Sequence, residues 1–177
     1  MSSQVDDRHA HDRDRFSDVL AGNQDFAASY QSAGLLGRAA RGLAIVTCMD
    51  SRIDPLAMTG LAKGDAKILR NAGARVTDDV LRTLVLASHL LSVDRVMVVA
   101  HTDCRMTKVT DDEIHAAIDQ DSGIDTRSLD FGAIADQHEV LVRDVQRIRS
   151  SPYLAPNIAV VGCVYDLSTG LIEVVTT

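Results

Sequence analysis

Apolar positions fall along this chain in two rhythms: short unbroken runs, and longer stretches with helical spacing. Leu43 to Thr47 is a continuous apolar run of strand length, as for a strand buried on both faces of a parallel sheet. Lys67 to Leu69 is a short second strand ending at Arg70-Asn71-Ala72-Gly73, Arg95 to Ala100 a third, and Ile158 to Val164 a fourth. The turn Tyr165 to Gly170 leads into a last strand, Leu171 to Val175, which predicts a hairpin.

Helical spacing fills the intervals. Pro55 to Leu61 reads as a short helix. Asp78-Asp79 caps a helix through about Leu91, with Val80, Leu84, Ala87, Leu90 and Leu91 on one face and acids at its positive end. Phe131 to Arg149 reads as one long amphipathic helix (Ile134, Val140, Leu141, Val145, Ile148), ended by Pro152 and Pro156. Arg15 to Ala33 carries Phe16, Val19, Leu20, Phe26 and Tyr30 at helical spacing, interrupted by Gly22-Asn23. That predicts two short helices or one broken one, an arm stable only when laid on another surface such as a second subunit. Gly34 to Gly42 is a loop.

Strands alternating with helices give an α/β fold: a single domain with a mainly parallel central sheet flanked by helices, an N-terminal helical arm and a C-terminal antiparallel edge strand. A length of 177 residues suits one domain with a continuous core, set here at 15–177 behind a frayed polar tail of residues 1–14. No internal repeat is present.

Composition narrows the function classes. A net charge of −7 argues against a nucleic-acid partner. No apolar run reaches the roughly 20 residues of a membrane span. Met1 to Arg15 lacks the apolar centre of a secretory signal. Three widely spaced cysteines do not describe a disulfide framework and fit a reducing cytoplasm. The seven acids against one arginine between Asp111 and Asp130 read as a solvated helix and loop.

The chemistry gathers at two strand ends. Cys48 follows the first core strand, and His101 follows the third, with Cys104 three residues on. Ligands of an open parallel sheet collect beyond the carboxyl ends of its strands, which places all three at one edge. If the chain turns helical after His101, that residue and Cys104 project from one side. Two thiolates and an imidazole select zinc, one ion per chain, and leave a fourth position open as in catalytic sites. Asp50 and Arg52, two residues apart, form a charge-assisted pair. An arginine-held carboxylate stays ionised near the ion, to orient a bound water or to swing in as a fourth ligand.

Cys48-Met49-Asp50-Ser51-Arg52 followed by His101-Thr102-Asp103-Cys104 resembles the Cys-x-Asp-x-Arg and His-x-x-Cys motifs of the β-class carbonic anhydrases. Arg70-Asn71-Ala72-Gly73 is similar to a segment between those motifs, and Gly162 to Asp166 before Thr169-Gly170 to the family's closing strand and turn. The likeness runs over about residues 15 to 175. It implies zinc on Cys48, His101 and Cys104, Asp50 and Arg52 as the catalytic pair, and Gly73 and Ala74 lining a substrate pocket. It implies reversible hydration of carbon dioxide to bicarbonate by zinc-bound hydroxide. It also implies a homodimer or homotetramer whose N-terminal helices reach across to the partner. The short bacterial branch that this chain most resembles is similar to carbonyl sulfide hydrolases as well, so that substrate stands as the alternative.

Two departures stand out. Arg105 occupies the position after the second cysteine where the family usually has glycine, and it would attract bicarbonate, pair with an acid or obstruct the pocket. The stretch Arg38 to Arg41 offers no equivalent of the substrate-orienting glutamine of the plant-like members. A non-catalytic zinc protein closed by Arg105 is therefore a further reading. A nucleotide-binding domain ranks below it, because no Gly-rich loop follows a strand. Cys163 reads as core, His89 as packed or exposed, His115 and His138 as surface, and His9 and His11 as part of the tail.

Overall fold

The computed structural model describes residues 14–31 and 34–176. It divides into two units, residues 1–35 and 36–177. The first carries helix α1, Ser17–Ala28. This helix runs unbroken through Gly22-Asn23, since one glycine weakens a helix by about 1 kcal/mol without ending it. No residue of α1 is buried, and Phe16, Val19, Leu20 and Phe26 are exposed. The expected tail lies, Asp14 excepted, outside the described residues, as do His9 and His11.

The second unit is built on a five-stranded sheet: β1 (Leu43–Cys48), β2 (Ala66–Asn71), β3 (Arg95–His101), β4 (Ala159–Tyr165) and β5 (Ile172–Thr176). Their order is β2-β1-β3-β4-β5, parallel throughout except for the antiparallel β4–β5 pair. All six residues of β1 are buried. Ala44 and Val46 face one side and Leu43 and Ile45 the other, as the two-residue period of a strand requires. Thr47 is tolerated inside because its hydroxyl donates to the Val99 carbonyl at 2.9 Å.

Helix α2 (Asp78–Leu90) and helix α4 (Gln137–Arg149) cover the same face, sending Val80, Leu84 and Ala87, and Leu141, Val145 and Ile148, onto Val46, Val96 and Val98. Burying a leucine or isoleucine such as Leu84 or Ile148 contributes about 1.5–3 kcal/mol. The opposite face holds Ile45, Val99 and Cys163, with Met58 and Leu61 from the β1–β2 connection. Cys163 is thus core, and burial pushes its thiol pKa up. Helix α3 (Asp111–Ser122) has no buried residue, as expected of the acidic stretch, and opens on a Thr110–Glu113 capping box.

Four local expectations are corrected. The stretch before α4 is not helical, and α4 begins only at Gln137, capped by Asp136. The Asp111 carboxylate takes the N–H groups of Phe131 and Ala133 at 2.9 and 2.8 Å, and Ile134 N–H goes to Met106 O at 2.8 Å. Gly132, between Phe131 and Ala133, is left-handed (φ 71°), which no right-handed helix accommodates. At α2 the cap is Thr77, whose side chain accepts from Val80 N–H, while Asp78 pairs with Arg147 and Asp79 with Arg82. The predicted helix at 55–61 is a single 3-10 turn, Ala57–Thr59. His115, read as surface, is half-buried, bonded to Thr126 at 2.9 Å and set against the Phe131 ring.

Candidate metal centre

From β1 the chain passes to β2 on one side and later to β3 on the other, so the carboxyl end of β1 is a switch point. Cys48 is the last residue of β1 and His101 the last of β3, and these strands are neighbours. Cys104 does not arrive through a helical turn. Thr102 and Asp103 make a tight turn with Asp103 left-handed (φ 59°), and Cys104 is extended ahead of a 3-10 turn, Arg105–Thr107. Hydrogen bonds pin that turn from outside: Thr102 N–H to Tyr165 O at 3.0 Å, and Leu167 N–H to the Thr102 hydroxyl at 3.0 Å.

The ligand atoms of Cys48, His101 and Cys104 lie within 4.8 Å of one another, and all three residues are buried. The imidazole carries the decisive feature. Nδ1–H donates to the Thr102 carbonyl at 2.8 Å, and Gln137 Nε2 donates to the His101 carbonyl at 3.0 Å. Nε2 is therefore the unprotonated nitrogen of the neutral ring, and it is buried without a hydrogen-bond partner. A buried polar atom without a partner is costly, and a cation between it and the two sulfurs removes that cost. Burial, followed by the neighbouring Cys48 sulfur, raises the Cys104 thiol pKa, so a bound metal displaces protons. The residues present fit a soft divalent ion.

Asp50 and Arg52 pair as expected. Arg52 Nε and NH2 donate to the two Asp50 oxygens at 3.0 and 2.7 Å, and Arg52 backbone N–H donates to Oδ1 at 2.9 Å. These bonds hold the Asp50 carboxyl well below the usual carboxylate range. Its Oδ2 lies 4.0 Å from His101 Nε2, at the edge of the ligand cluster. Arg70, at the end of β2, steadies the same loop, donating to Cys48 O at 2.9 Å and Asp50 O at 2.6 Å.

The remaining candidates divide. Gly73 (φ 78°) donates its N–H to Cys48 Sγ at 3.4 Å, and Ala74 is buried in a cluster with Cys48, Ile53 and Cys104. Met58, Met106, Tyr165 and Leu167 pack against that cluster, so the surroundings of the site are apolar. Arg105 is exposed and lines a groove of about 590 Å³ with Met106, Ile114 and Ile118, beside α3. Sequence reasoning missed Asp103, whose carboxylate accepts from Arg52 NH1 at 2.9 Å and also pairs with Lys108. Its only signal was its place between His101 and Cys104.

The model of the family described as carbonic anhydrase matches residues 43–129, a span that includes all three clustered residues. Beta-carbonic anhydrase 1 of Mycobacterium tuberculosis is 36% identical over 159 residues, covering 90% of this chain and 96% of that protein. A carbon disulfide hydrolase of Acidithiobacillus thiooxidans is 29% identical, covering 73% of this chain and 75% of its own length. The crystal structure of a carbonic anhydrase from Streptococcus mutans superposes with a TM-score of 0.85 at 37% identity, over 91% of this chain and 97% of that one. With the cysteine–histidine–cysteine cluster at the switch point and likeness over nine-tenths of its length, the chain belongs to the β-carbonic anhydrase family.

Proposed function

We propose that this protein binds one zinc ion per chain through Cys48, His101 and Cys104 and catalyses the reversible hydration of carbon dioxide to bicarbonate. The observation that carries the reading is the buried, partnerless His101 Nε2 facing two thiols, with an arginine-held carboxylate 4.0 Å away. Zinc there would supply Lewis acidity, lowering the pKa of water toward neutrality and giving a nucleophile at physiological pH.

The chain's own residues supply the rest. Asp50, kept ionised by Arg52, accepts a hydrogen bond from the reacting water and directs its free lone pair toward the substrate carbon. The Thr102 carbonyl fixes the imidazole tautomer. Gly73 and Ala74, with Ile53 and Leu167, give an apolar surface suited to a small uncharged linear molecule, and Arg105 stands exposed after Cys104.

Carbon dioxide hydration and carbonyl sulfide and carbon disulfide hydrolysis, measured side by side on metal-quantified protein, test the reading. One zinc per chain with carbon dioxide as the fastest substrate supports it. Faster turnover of either sulfur compound replaces it with the hydrolase. Zinc without turnover, restored by Arg105→Gly, makes the chain a closed zinc protein.

The proposed assembly is a homodimer or homotetramer. Helix α1 has 12 residues, none buried, and a helix of that length is marginal in water alone. Light scattering of the purified chain decides between monomer and oligomer. No helix among the described residues is long and apolar enough to cross a membrane. Three free cysteines suit the cytoplasm, the compartment proposed here.

A further inference from the structure

Arg52 reaches beyond Asp50. With Nε and NH2 on the Asp50 carboxylate, its NH1 donates to Asp103 Oδ2 at 2.9 Å, and NH2 also approaches the Asp103 carbonyl at 3.3 Å. The other Asp103 oxygen takes the Lys108 ammonium. A four-member chain, Asp50–Arg52–Asp103–Lys108, thus ties the loop after β1 to the turn that presents both His101 and Cys104.

These groups are too open for the chain to be a stability device. The side chains of Arg52, Asp103 and Lys108 are 50%, 52% and 51% exposed, and ion pairs at such exposure add little. What the chain fixes is direction. The two bonds to Asp50 lock guanidinium and carboxylate to each other, but the pair as a unit can still swing on the rotatable arginine stem. A second carboxylate on the opposite edge holds the plane, and with it the Asp50 oxygens. Asp50 Oδ2 already lies 4.0 Å from His101 Nε2, so a small swing would carry it into the ligand cluster.

We propose that Asp103 is a positioning residue: gripping Arg52 from its far edge, with Lys108 behind it, it holds Asp50 beside the metal position and keeps it from becoming a ligand. The proposal rests on the metal-site reading above. Asp103 sits at φ 59°, where glycine and asparagine are tolerated. Asp103→Gly therefore removes the grip without straining the turn, and Asp103→Asn keeps an acceptor for Arg52 but loses the charge.

The test uses the full chain loaded with zinc for kinetics and with cobalt(II) for visible absorption, whose bands report the ligand set. Asp103→Gly is expected to bind cobalt and to change its bands. The change should vanish when Asp50→Asn is added. Carbon dioxide hydration should fall about tenfold in kcat with little change in KM, and Asp103→Asn should recover part of the loss. Asp103→Gly should add nothing to Arg52→Ala, because it acts through Arg52. Unchanged bands in Asp103→Gly, losses additive with Arg52→Ala, or loss of cobalt binding would each overturn the proposal. If the wild-type protein binds zinc but hydrates no carbon dioxide, the functional reading fails, and the cobalt bands still decide the role of Asp103.

Discussion

Gly73 donates its backbone N–H to Cys48 Sγ at 3.4 Å, so the turn after β2 delivers a hydrogen bond to a sulfur of the candidate metal cluster. The approach needs a residue without Cβ. Gly73 has φ 78°, and a Cβ there would lie 2.8 Å from Ile134 Cδ1 and 3.4 Å from Met106. Gly73→Ala is expected to cost about 1–2 kcal/mol in left-handed strain, with a further loss as Ile134 is displaced. Urea denaturation of the variant against the parent measures the first effect, and zinc competition with a chromogenic chelator measures the weaker grip on the ion.

Metal removal should leave the sheet in place. The core on the α2/α4 face is built from Val46, Leu84, Val98, Val145 and Ile148, a cluster separate from the one that holds Cys48 and Cys104. Free zinc at 100 times its dissociation constant should stabilise the chain by about 2.7 kcal/mol over the chelated form. Thermal melts with and without a chelator, with far-ultraviolet circular dichroism at 20 °C held constant, check both statements.

Arg52→Ala should separate binding from turnover. It removes the two side-chain donors on Asp50 while leaving Cys48, His101 and Cys104 untouched. Carbon dioxide hydration is expected to fall about 10²-fold, with zinc content near that of the parent by atomic absorption. Full activity would remove Arg52 from the mechanism.

Asp144 ties the loop before α2 to α4. Only 5% exposed, it accepts from Arg75 Nε at 2.9 Å and Val76 N–H at 3.0 Å. Asp144→Ala strands both donors and should cost about 3 kcal/mol. Equilibrium unfolding tests this, and a loss below about 1 kcal/mol would show that water replaces the carboxylate.

Acid should loosen the segment from Phe131 to Ala133 that Asp111 holds. Bonds from Ala133 N–H, then Phe131 N–H, hold the Asp111 carboxyl below its ordinary pKa. A folded pKa below the unfolded one contributes stability present above about pH 4 and lost as the pH falls through the folded value. Parent and Asp111→Asn should therefore differ in melting temperature at pH 6 and converge toward pH 3.

The legible parts of the chain were those where neighbours in sequence are neighbours in the physics. Leu43 to Thr47 reads as a strand because its apolar run is continuous, and Asp50 reads as partner to Arg52 because two residues of extended loop bring them together. Phe131 to Asp136 misled, since its apolar spacing continues that of α4 while its N–H groups go to Asp111 and Met106. No pattern within the segment records bonds made twenty residues away. Distance also hid Asp103 as the second anchor of Arg52, 51 residues off, whereas Thr102, adjacent to His101, went unread because only the folded turn aims its carbonyl at the imidazole.

The sequence by itself determined the order of strands and helices, the clustered residues Cys48, His101 and Cys104 and the carboxylate–guanidinium pair, because periodicity and short spacing are local properties. Tertiary structure decided which helices share a face of the sheet, how a left-handed Asp103 aims Cys104, and which imidazole nitrogen stays bare. Those depend on hydrogen bonds between segments, such as Gln137 to the His101 carbonyl and Tyr165 to Thr102, whose partners meet only once β1, β3 and β4 lie side by side.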